Sequence, residues 1–178
     1  MTRAIHLIEP DSTWQSAFLD MAAEFAASGD LRYQAALTDF TGYLERRLQF
    51  AHGEHLPPNR VRENTYWAVE GTMIVGSSRL RHTLTPTLHQ IGGHIAYEIR
   101  PAKRGQGYAT VLLAHTLHQA RQFGIPAVLI TCDIDNIGSA RVIEKNGGRL
   151  VDQTKIDGYA KMISRYWIDL PATNELQH

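Results

Sequence analysis

The feature that most constrains the fold is the stretch from residue 94 to 133, which has the pattern of a strand, a loop, a helix and a second strand. The segment HIAYEI (94–99) alternates like a strand, and residues 109–123 place apolar side chains on one helical face. The run AVLITCD (127–133) is continuously apolar, which is typical of a buried central strand. This unit predicts two parallel strands joined by a right-handed crossover helix.

The flanking segments predict a mixed α/β sheet with helices on both faces. The predicted order of elements is β-α-α-β-β-β-α-β-α-β-β, with the strand pair of the crossover unit at its centre. The segment 81–93 is punctuated by proline and glycine, so we expect a loop there. The other strands are predicted at 5–10, 65–70, 72–80, 149–157 and 164–170, and the other helices at 12–27, 39–51 and 139–146.

Length and charge favour one globular domain without a nucleic-acid partner. The chain has 178 residues, of which 43% are hydrophobic, and this suits a single core. Lys plus Arg and Asp plus Glu number 18 each, so no net charge would attract a polyanion. We expect one domain over residues 1–170, followed by a short C-terminal tail over 171–178.

Metal, disulfide and membrane functions are not expected from this composition. Cys132 is the only cysteine, so no internal disulfide can form. We interpret Cys132 as a small buried hydrophobe, with a covalent acyl carrier as the alternative. His115 and His118 share the polar face of a helix without a third ligand, so we expect no metal. The chain lacks an apolar run of about 18 residues and a signal peptide, so a cytoplasmic protein without a membrane partner is expected.

The loop RGQGYA (104–109) precedes the crossover helix and predicts an anion site. The first N–H groups of a helix lack intrahelical partners and lie at the positive end of its dipole, so they bind phosphate. The P-loop is excluded because Tyr108-Ala109 follows the last glycine, and the dinucleotide fingerprint fails because Thr110 replaces its third glycine. A plain strand-to-helix turn is the alternative.

Asn136 follows the buried strand and precedes a short amphipathic helix. Ligands of open α/β sheets bind outside the carboxyl ends of the strands, where Asn136 and the RGQGYA loop are both expected. The two segments together therefore favour a binding site over a simple turn.

At these two motifs the sequence resembles the GNAT acetyltransferases. RGQGYA is similar to the R/Q-x-x-G-x-G/A acyl-CoA loop of that family, and residues 136–147 are similar to its second signature, N-x-x-A/S with a glycine near the helix end. The stretch YEIRPAKRGQGYAT most resembles the branch that includes the ribosomal-protein N-terminal acetyltransferases. Element order and length agree over nearly the whole chain.

The resemblance implies a coenzyme site between two strands that splay apart. Backbone amides of the loop would bind the coenzyme A pyrophosphate, and the pantetheine arm would pair with backbone near Ile99. Asn136 and Ser139 would contact the arm from the other side. The loop residues carried over are Arg104, Gly105, Gln106, Gly107, Tyr108, Ala109 and Thr110.

The resemblance also implies direct transfer of an acetyl group from acetyl-CoA to a neutral amine. A strand N–H would polarise the thioester carbonyl, and a base would take the amine proton. Glu98, near the splay, is the candidate catalytic base. The alternative is a structural ion pair between Glu98 and Arg79 or Arg81 on the neighbouring strand.

The sequence departs from the family pattern at the usual general acid. Ile143 stands where many members have tyrosine, and Gly148 stands where an aromatic residue is usual. Another group must then protonate the thiolate, or it leaves unassisted. Tyr159 and Tyr166 are candidates for this role, with structural roles as the alternative.

Three functions remain open at this point: an N-acetyltransferase, a non-catalytic acyl-CoA-binding module, and a nucleotide-binding regulatory domain. The acceptor, a small-molecule amine or a peptide amine, would be selected by the two N-terminal helices, the 81–93 loop and the 157–164 connection. A homodimer is compatible with the sequence.

Overall fold

The structure, a computed structural model, describes residues 4–171 and confirms the mixed α/β fold. Residues 172–178 of the predicted tail lie outside the described residues. The strands are β1 (His6–Ile8), β2 (Glu63–Glu70), β3 (Met73–Arg81), β4 (Ile95–Ile99), β5 (Ala127–Asp133), β6 (Arg149–Lys155) and β7 (Met162–Asp169). The helices are α1 (Gln15–Ala27), α2 (Gln34–Thr38), α3 (Phe40–His52), α4 (Pro86–Gln90), α5 (Tyr108–Gln122) and α6 (Ile137–Lys145).

Two short helices, α2 and α4, were not expected from the sequence. The prediction of an irregular loop over 81–93 is wrong at α4, because Pro86 occupies the first turn, where its missing N–H costs nothing. The Thr85 hydroxyl caps this helix by accepting the Leu88 N–H at 3.2 Å. Five residues are too few to show a helical period, so only such a cap can indicate the helix.

The strands form two antiparallel sheets that meet at the predicted central pair. One sheet has the order β1-β2-β3-β4, and the other has the order β5-β7-β6. Within residues 4–171, no ladder joins β4 to β5, although α5 connects them in sequence. One edge of β4 therefore faces the junction between the sheets, and the relative direction of these two strands stays a prediction.

Helices cover both faces of the larger sheet, as the contacts of neighbouring side chains on β2 show. Trp67 packs with Phe18 and the other aromatic side chains of α1 to α3, and its ring lies 4.5 Å from that of Phe18. The neighbouring Tyr66 points to the opposite face and packs with Leu113 and Leu117 of α5. The N-terminal helices and α5 are thus held on opposite sides of β4.

The two sheets are held together where β4 begins. The His94 N–H donates to the Leu129 carbonyl at 2.7 Å, and the Leu129 N–H donates to His94 Nδ1 at 2.9 Å. A Cβ at Gly93 would lie 2.3 Å from the Leu129 oxygen, so only glycine permits this approach. The contact fixes one end of the β4–β5 junction.

This contact predicts a pH-dependent stability. Burial, with the nearby charges of His89 and Arg81, lowers the pKa of His94 from 6.5 to about 4. Only the neutral ring can accept the Leu129 N–H at Nδ1. Because the pKa of His94 is lower in the folded than in the unfolded protein, this group contributes its full stabilisation above pH 6.5. The stabilisation is lost as the pH falls toward 4. We expect the free energy of unfolding to drop by about 2 kcal/mol between pH 7 and pH 5 through this group. His94→Asn retains an acceptor but does not titrate, so denaturant unfolding of this variant should show a smaller drop; an equal drop would contradict the assignment.

Candidate active site

The loop between β4 and α5 has the geometry of an anion site. Gly105 and Gly107 adopt positive φ values of 70° and 88°, and Gly107 is the residue before the first turn of α5. A Cβ at either glycine would meet no atom within 4 Å, so the outer side of the loop is open. The first N–H groups of α5 therefore adjoin accessible space, as anion binding requires.

A cavity of about 500 Å³ runs from this loop to α6. It brings together the end of β4, the loop, the first turn of α5 and the start of α6. The predicted residues that line it are Glu98, Ile99, Arg104, Gly105, Gly107, Tyr108, Ala109, Thr110, Asn136 and Ser139. Gln106 does not line it, and its side-chain amide instead donates to the Ala102 carbonyl at 3.0 Å.

Several of these side chains also have structural partners. Tyr108 is buried, and its hydroxyl donates to Glu70 at 2.6 Å, so Tyr108 can offer the cavity its main chain rather than its ring. Arg104 Nε donates to the Ile99 carbonyl at 3.1 Å and ties the loop to the end of β4. The Asn136 carbonyl oxygen caps α6 by accepting the Ser139 N–H at 3.0 Å.

Three cations that were not singled out from the sequence also line this cavity. Lys103 lies on the loop side, and Arg141 and Lys145 lie one helical turn apart on α6. The spacing of four residues on an exposed helix face was the available signal. Together with Arg104 they make this end of the cavity positive, which suits a ligand with several phosphates.

Two hydroxyl groups contact each other where β4 packs against α6. Tyr97 Oη and Ser139 Oγ are 2.8 Å apart, and both residues line the 500 Å³ cavity. Burial raises the pKa of Tyr97 to about 12, so the phenol stays protonated. Cys132 is buried next to this pair, and burial raises the pKa of its thiol. Because the thiol is buried and protonated, the interpretation of Cys132 as a buried hydrophobe is supported.

The positions that depart from the family pattern are coupled by packing. Ile143 is fully buried in the core, and a Cβ at Gly148 would lie 2.3 Å from its Cγ2 atom. This Cβ would also lie 2.9 Å from the Ile143 main-chain oxygen, so the side chain and the backbone of residue 143 together leave no room for a side chain at 148. Neither substitute tyrosine lines the 500 Å³ cavity: Tyr159 donates to Asp133 at 2.8 Å, and Tyr166 is buried with Glu144 as its partner at 3.5 Å.

Glu98 lies between two cavities. Its side chain is 9% exposed, and Glu98 lines both the 500 Å³ cavity and a second one of about 260 Å³ on the side of the N-terminal helices. The Tyr33 hydroxyl donates to Glu98 Oε1, and Arg32 Nη1 lies 3.3 Å from Oε2. The carboxylate is thus held rigidly where the two spaces meet.

The alternative partners expected for Glu98 on β3 are wrong. Arg81 pairs with Glu63 at 3.0 Å instead, and among the described residues no carboxylate lies within ion-pairing distance of Arg79. Pairing across the sheet aligns Glu98 with Ser77 and Arg79 with Ala96, so the arginine is displaced along the strand. The actual partners come from the segment just before α2, which sequence spacing did not indicate.

Over residues 4–171, no group of three or more His, Cys, Asp or Glu side chains is arranged to hold a metal ion. His115 and His118 are exposed on α5. Among the described residues, no helix has the length and apolar character to span a membrane.

The comparison with protein families gives the class of this protein. The acetyltransferase (GNAT) domain matches residues 19–149, which is most of the chain. The chain therefore belongs to the GNAT acetyltransferase family, as its two motifs predicted. No curated protein matches its sequence.

Solved structures agree with this fold at low sequence identity. The chain is similar to RimL, the ribosomal L7/L12 α-N-protein acetyltransferase, in complex with coenzyme A, with 16% identity, a TM-score of 0.71, and 95% and 96% of the two chains covered. A second similar structure is the acetyltransferase from Salmonella typhimurium that modifies the N-terminal serine of L7/L12, with 15% identity, a TM-score of 0.69 and coverage of 96% and 97%. A third is the microcin C7 self-immunity acetyltransferase MccE with acetyl-CoA and AMP, with 14% identity, a TM-score of 0.71 and coverage of 95% and 94%.

Proposed function

We propose that the protein transfers an acetyl group from acetyl-CoA directly to a primary amine. The observation that carries this proposal is the position of Glu98 between the two cavities. Acetyl-CoA would occupy the cavity at the RGQGYA loop, and the amine would enter from the side of the N-terminal helices. The two reactants then meet at one carboxylate, and such alignment alone is worth roughly 7–11 kcal/mol.

The coenzyme would be held by the groups that line the larger cavity. The first-turn amides of α5, with Arg104 and the cations of α6, would bind its phosphates. The pantetheine arm would lie along the edge of β4 near Ile99 and pair with its main chain like an added strand. A β4 N–H would polarise the thioester carbonyl where negative charge develops.

In the reaction, the amine nitrogen forms a bond to the thioester carbon, and the carbon–sulfur bond breaks. Glu98 takes the amine proton, directly or through one water. The electron pair of the broken bond stays on sulfur, so coenzyme A leaves as a thiolate. A thiolate is a tolerable leaving group because an ordinary thiol has a pKa of about 8.5.

The test is an acceptor screen that measures release of the coenzyme thiol with a broad panel of amines. Amine-dependent release above hydrolysis is the expected result. The absence of tyrosine at position 143 favours one alternative, a non-catalytic acyl-CoA-binding module. In that case acetyl-CoA should raise the melting temperature, but no amine should accelerate thiol release.

The hydroxyl pair at Tyr97 is expected to stabilise the departing thiolate by hydrogen bonding. With a pKa of about 12, Tyr97 is a weaker acid than the thiol, so it donates a hydrogen bond without giving up its proton. Such a bond to a charged group is worth about 1.5–3 kcal/mol. We therefore expect Tyr97→Phe to lower kcat about tenfold or more in single-turnover measurements, with little change in acetyl-CoA affinity. An unchanged kcat would assign Tyr97 to the packing of β4 on α6.

Asn136 allows its capping role to be separated from a coenzyme contact. Asn136→Ala removes the cap of α6 and should cost about 1 kcal/mol of unfolding free energy. Asn136→Asp retains the capping oxygen but removes the amide donor. If the side chain also contacts the coenzyme, both variants should bind acetyl-CoA about tenfold more weakly. If calorimetric titration shows that the aspartate variant binds acetyl-CoA with normal affinity, Asn136 acts only as the cap of α6.

A further inference from the structure

The smaller cavity, on the side of the N-terminal helices, carries an excess of positive charge. Its charged lining consists of Arg32, Arg46, Arg47 and Arg79 against the single carboxylate of Glu98. Arg32 is already balanced, because it pairs with Asp30 at 2.7 Å as well as with Glu98. Arg46, Arg47 and Arg79 therefore give this space its positive charge, although Arg47 also lies 3.5 Å from Glu63.

Arg79 has no partner of its own among the described residues. It projects from the middle of β3 into the space between β3 and α3, where it lines the 260 Å³ cavity and an adjoining one of about 170 Å³. Burial alone would lower the pKa of Arg79, but Glu98 and Glu63 nearby raise it above its ordinary value, so it is charged. Glu98 and Glu63 line these cavities as well, but neither forms an ion pair with Arg79 among the described residues, so its half-buried guanidinium can bind an anion in this space.

Arg47 faces the same space and is held in place by aromatic rings. Its guanidinium lies 5.5 Å from the Tyr43 ring centre and 5.1 Å from that of Phe50. Its contact with Glu63 is long, at 3.5 Å, and its Nε atom is buried without a hydrogen-bond partner. Buried donors without a partner are uncommon in folded proteins, so this atom also indicates a missing acceptor.

We propose that the acceptor is a small amine with an anionic group, carboxylate or phosphonate, which binds Arg79 and Arg47 while its nitrogen faces Glu98. This inference rests on the proposed acetyl transfer and names its substrate class. A volume of about 260 Å³ equals roughly nine water volumes, which suits a molecule of amino-acid size. The same arginines repel polyamines, whose second cation would lie in a positive cavity.

The test compares acceptors that differ in one charge. Thiol release is measured with each proteinogenic α-amino acid and its carboxamide, and with 2-aminoethylphosphonate and ethanolamine. For at least one pair, kcat/KM should be at least tenfold higher for the anionic member. Whether that member is a carboxylate or a phosphonate then identifies the anion that the cavity binds. Arg79→Met and Arg47→Met should reduce this preference at least tenfold, whereas Arg149→Met, on the exposed surface, should not. Equal or greater rates with the uncharged members would overturn the proposal.

A binding measurement separates this inference from the proposed reaction. N-acetyl amino acids and their carboxamides are titrated into the coenzyme A complex of the wild type and of both cavity variants. The anion site is supported if the wild type binds the carboxylates tenfold more tightly than the carboxamides and if at least one folded variant loses this preference. This result would support the anion site even if no amine is acetylated and the proposed function fails. Amine-dependent turnover without this preference would support the proposed acetyl transfer and would overturn the anion site. Absence of the preference in wild type overturns it as well.

Discussion

Replacement of Glu98 by glutamine is expected to lower kcat/KM by about 10²–10⁴-fold, the range typical of a positioned general base. The substitution retains the shape and the capacity to accept the Tyr33 hydroxyl, but it removes the basicity. The affinity for acetyl-CoA should change little, because the partners that hold the carboxylate, Arg32 and Tyr33, line the smaller cavity. Steady-state kinetics with the best amine of the screen measures the effect.

The pH profile separates a base from an ion-pair partner. At higher pH more of the amine is already neutral, so the loss from Glu98→Gln should shrink as pH rises from 6 to 9. Glu45→Gln, on an exposed face of α3, is the matched control and should leave the rate intact. Ile143→Tyr should not restore activity to the Glu98 variant, since the missing function is the base. An unchanged rate across this pH range would make Glu98 a structural partner of Arg32.

The second large effect is expected at Gly107. A valine there would place a branched side chain in the open space beside the first turn of α5, where the coenzyme phosphates are proposed to bind. Two or more lost charge-assisted hydrogen bonds, at about 1.5–3 kcal/mol each, correspond to at least 100-fold weaker binding of acetyl-CoA. The protection that acetyl-CoA gives against thermal unfolding should therefore disappear.

Gly124 provides the control for backbone strain. It follows the other end of α5, has a φ of 70°, and a Cβ there would also meet no atom within 4 Å. Gly124→Val should thus impose a similar strain and lower the melting temperature of the free protein, while acetyl-CoA still protects it. If folded Gly107→Val retains wild-type affinity for acetyl-CoA, the loop does not hold the pyrophosphate.

The cavity proposed for the coenzyme is built from segments that local sequence signals indicated. A strand, two glycines and a helix start follow one another within residues 94–110, and Asn136 follows the next strand. These segments line one cavity in the structure. The hydroxyl pair of Tyr97 and Ser139 could not be foreseen, because it joins residues 42 positions apart across the sheet junction.

The smaller cavity, which is proposed for the acceptor, was far less predictable. The partners of Glu98 are Arg32 and Tyr33, which lie more than 60 residues earlier in the sequence. Their position depends on the short helix α2. Alternation along β4 carries no information about what packs over the face that bears Glu98. The unpartnered state of Arg79 likewise depends on the register of β3 on β4.

Replacement of the family's tyrosine by Ile143 had suggested a missing catalytic group. The structure adds a packing reason, because Ile143 fills the core against Gly148 and excludes a side chain there. The main-chain oxygen of Ile143 would also lie 2.9 Å from a Cβ at position 148, so the backbone contributes to this crowding. Under the proposed reaction, the hydroxyl groups of Tyr97 and Ser139 are the candidates for the role of the lost hydroxyl.

The most direct test of transfer between the two cavities follows the acetyl group itself. Enzyme is mixed with acetyl-labelled acetyl-CoA, with and without the best amine, and the products and the intact protein are measured by mass spectrometry. We predict one acetylated amine for each coenzyme A released, and no label on the protein in either sample. Label on Cys132 or another side chain before the amine is added, or coenzyme release that does not depend on the amine, would contradict direct transfer.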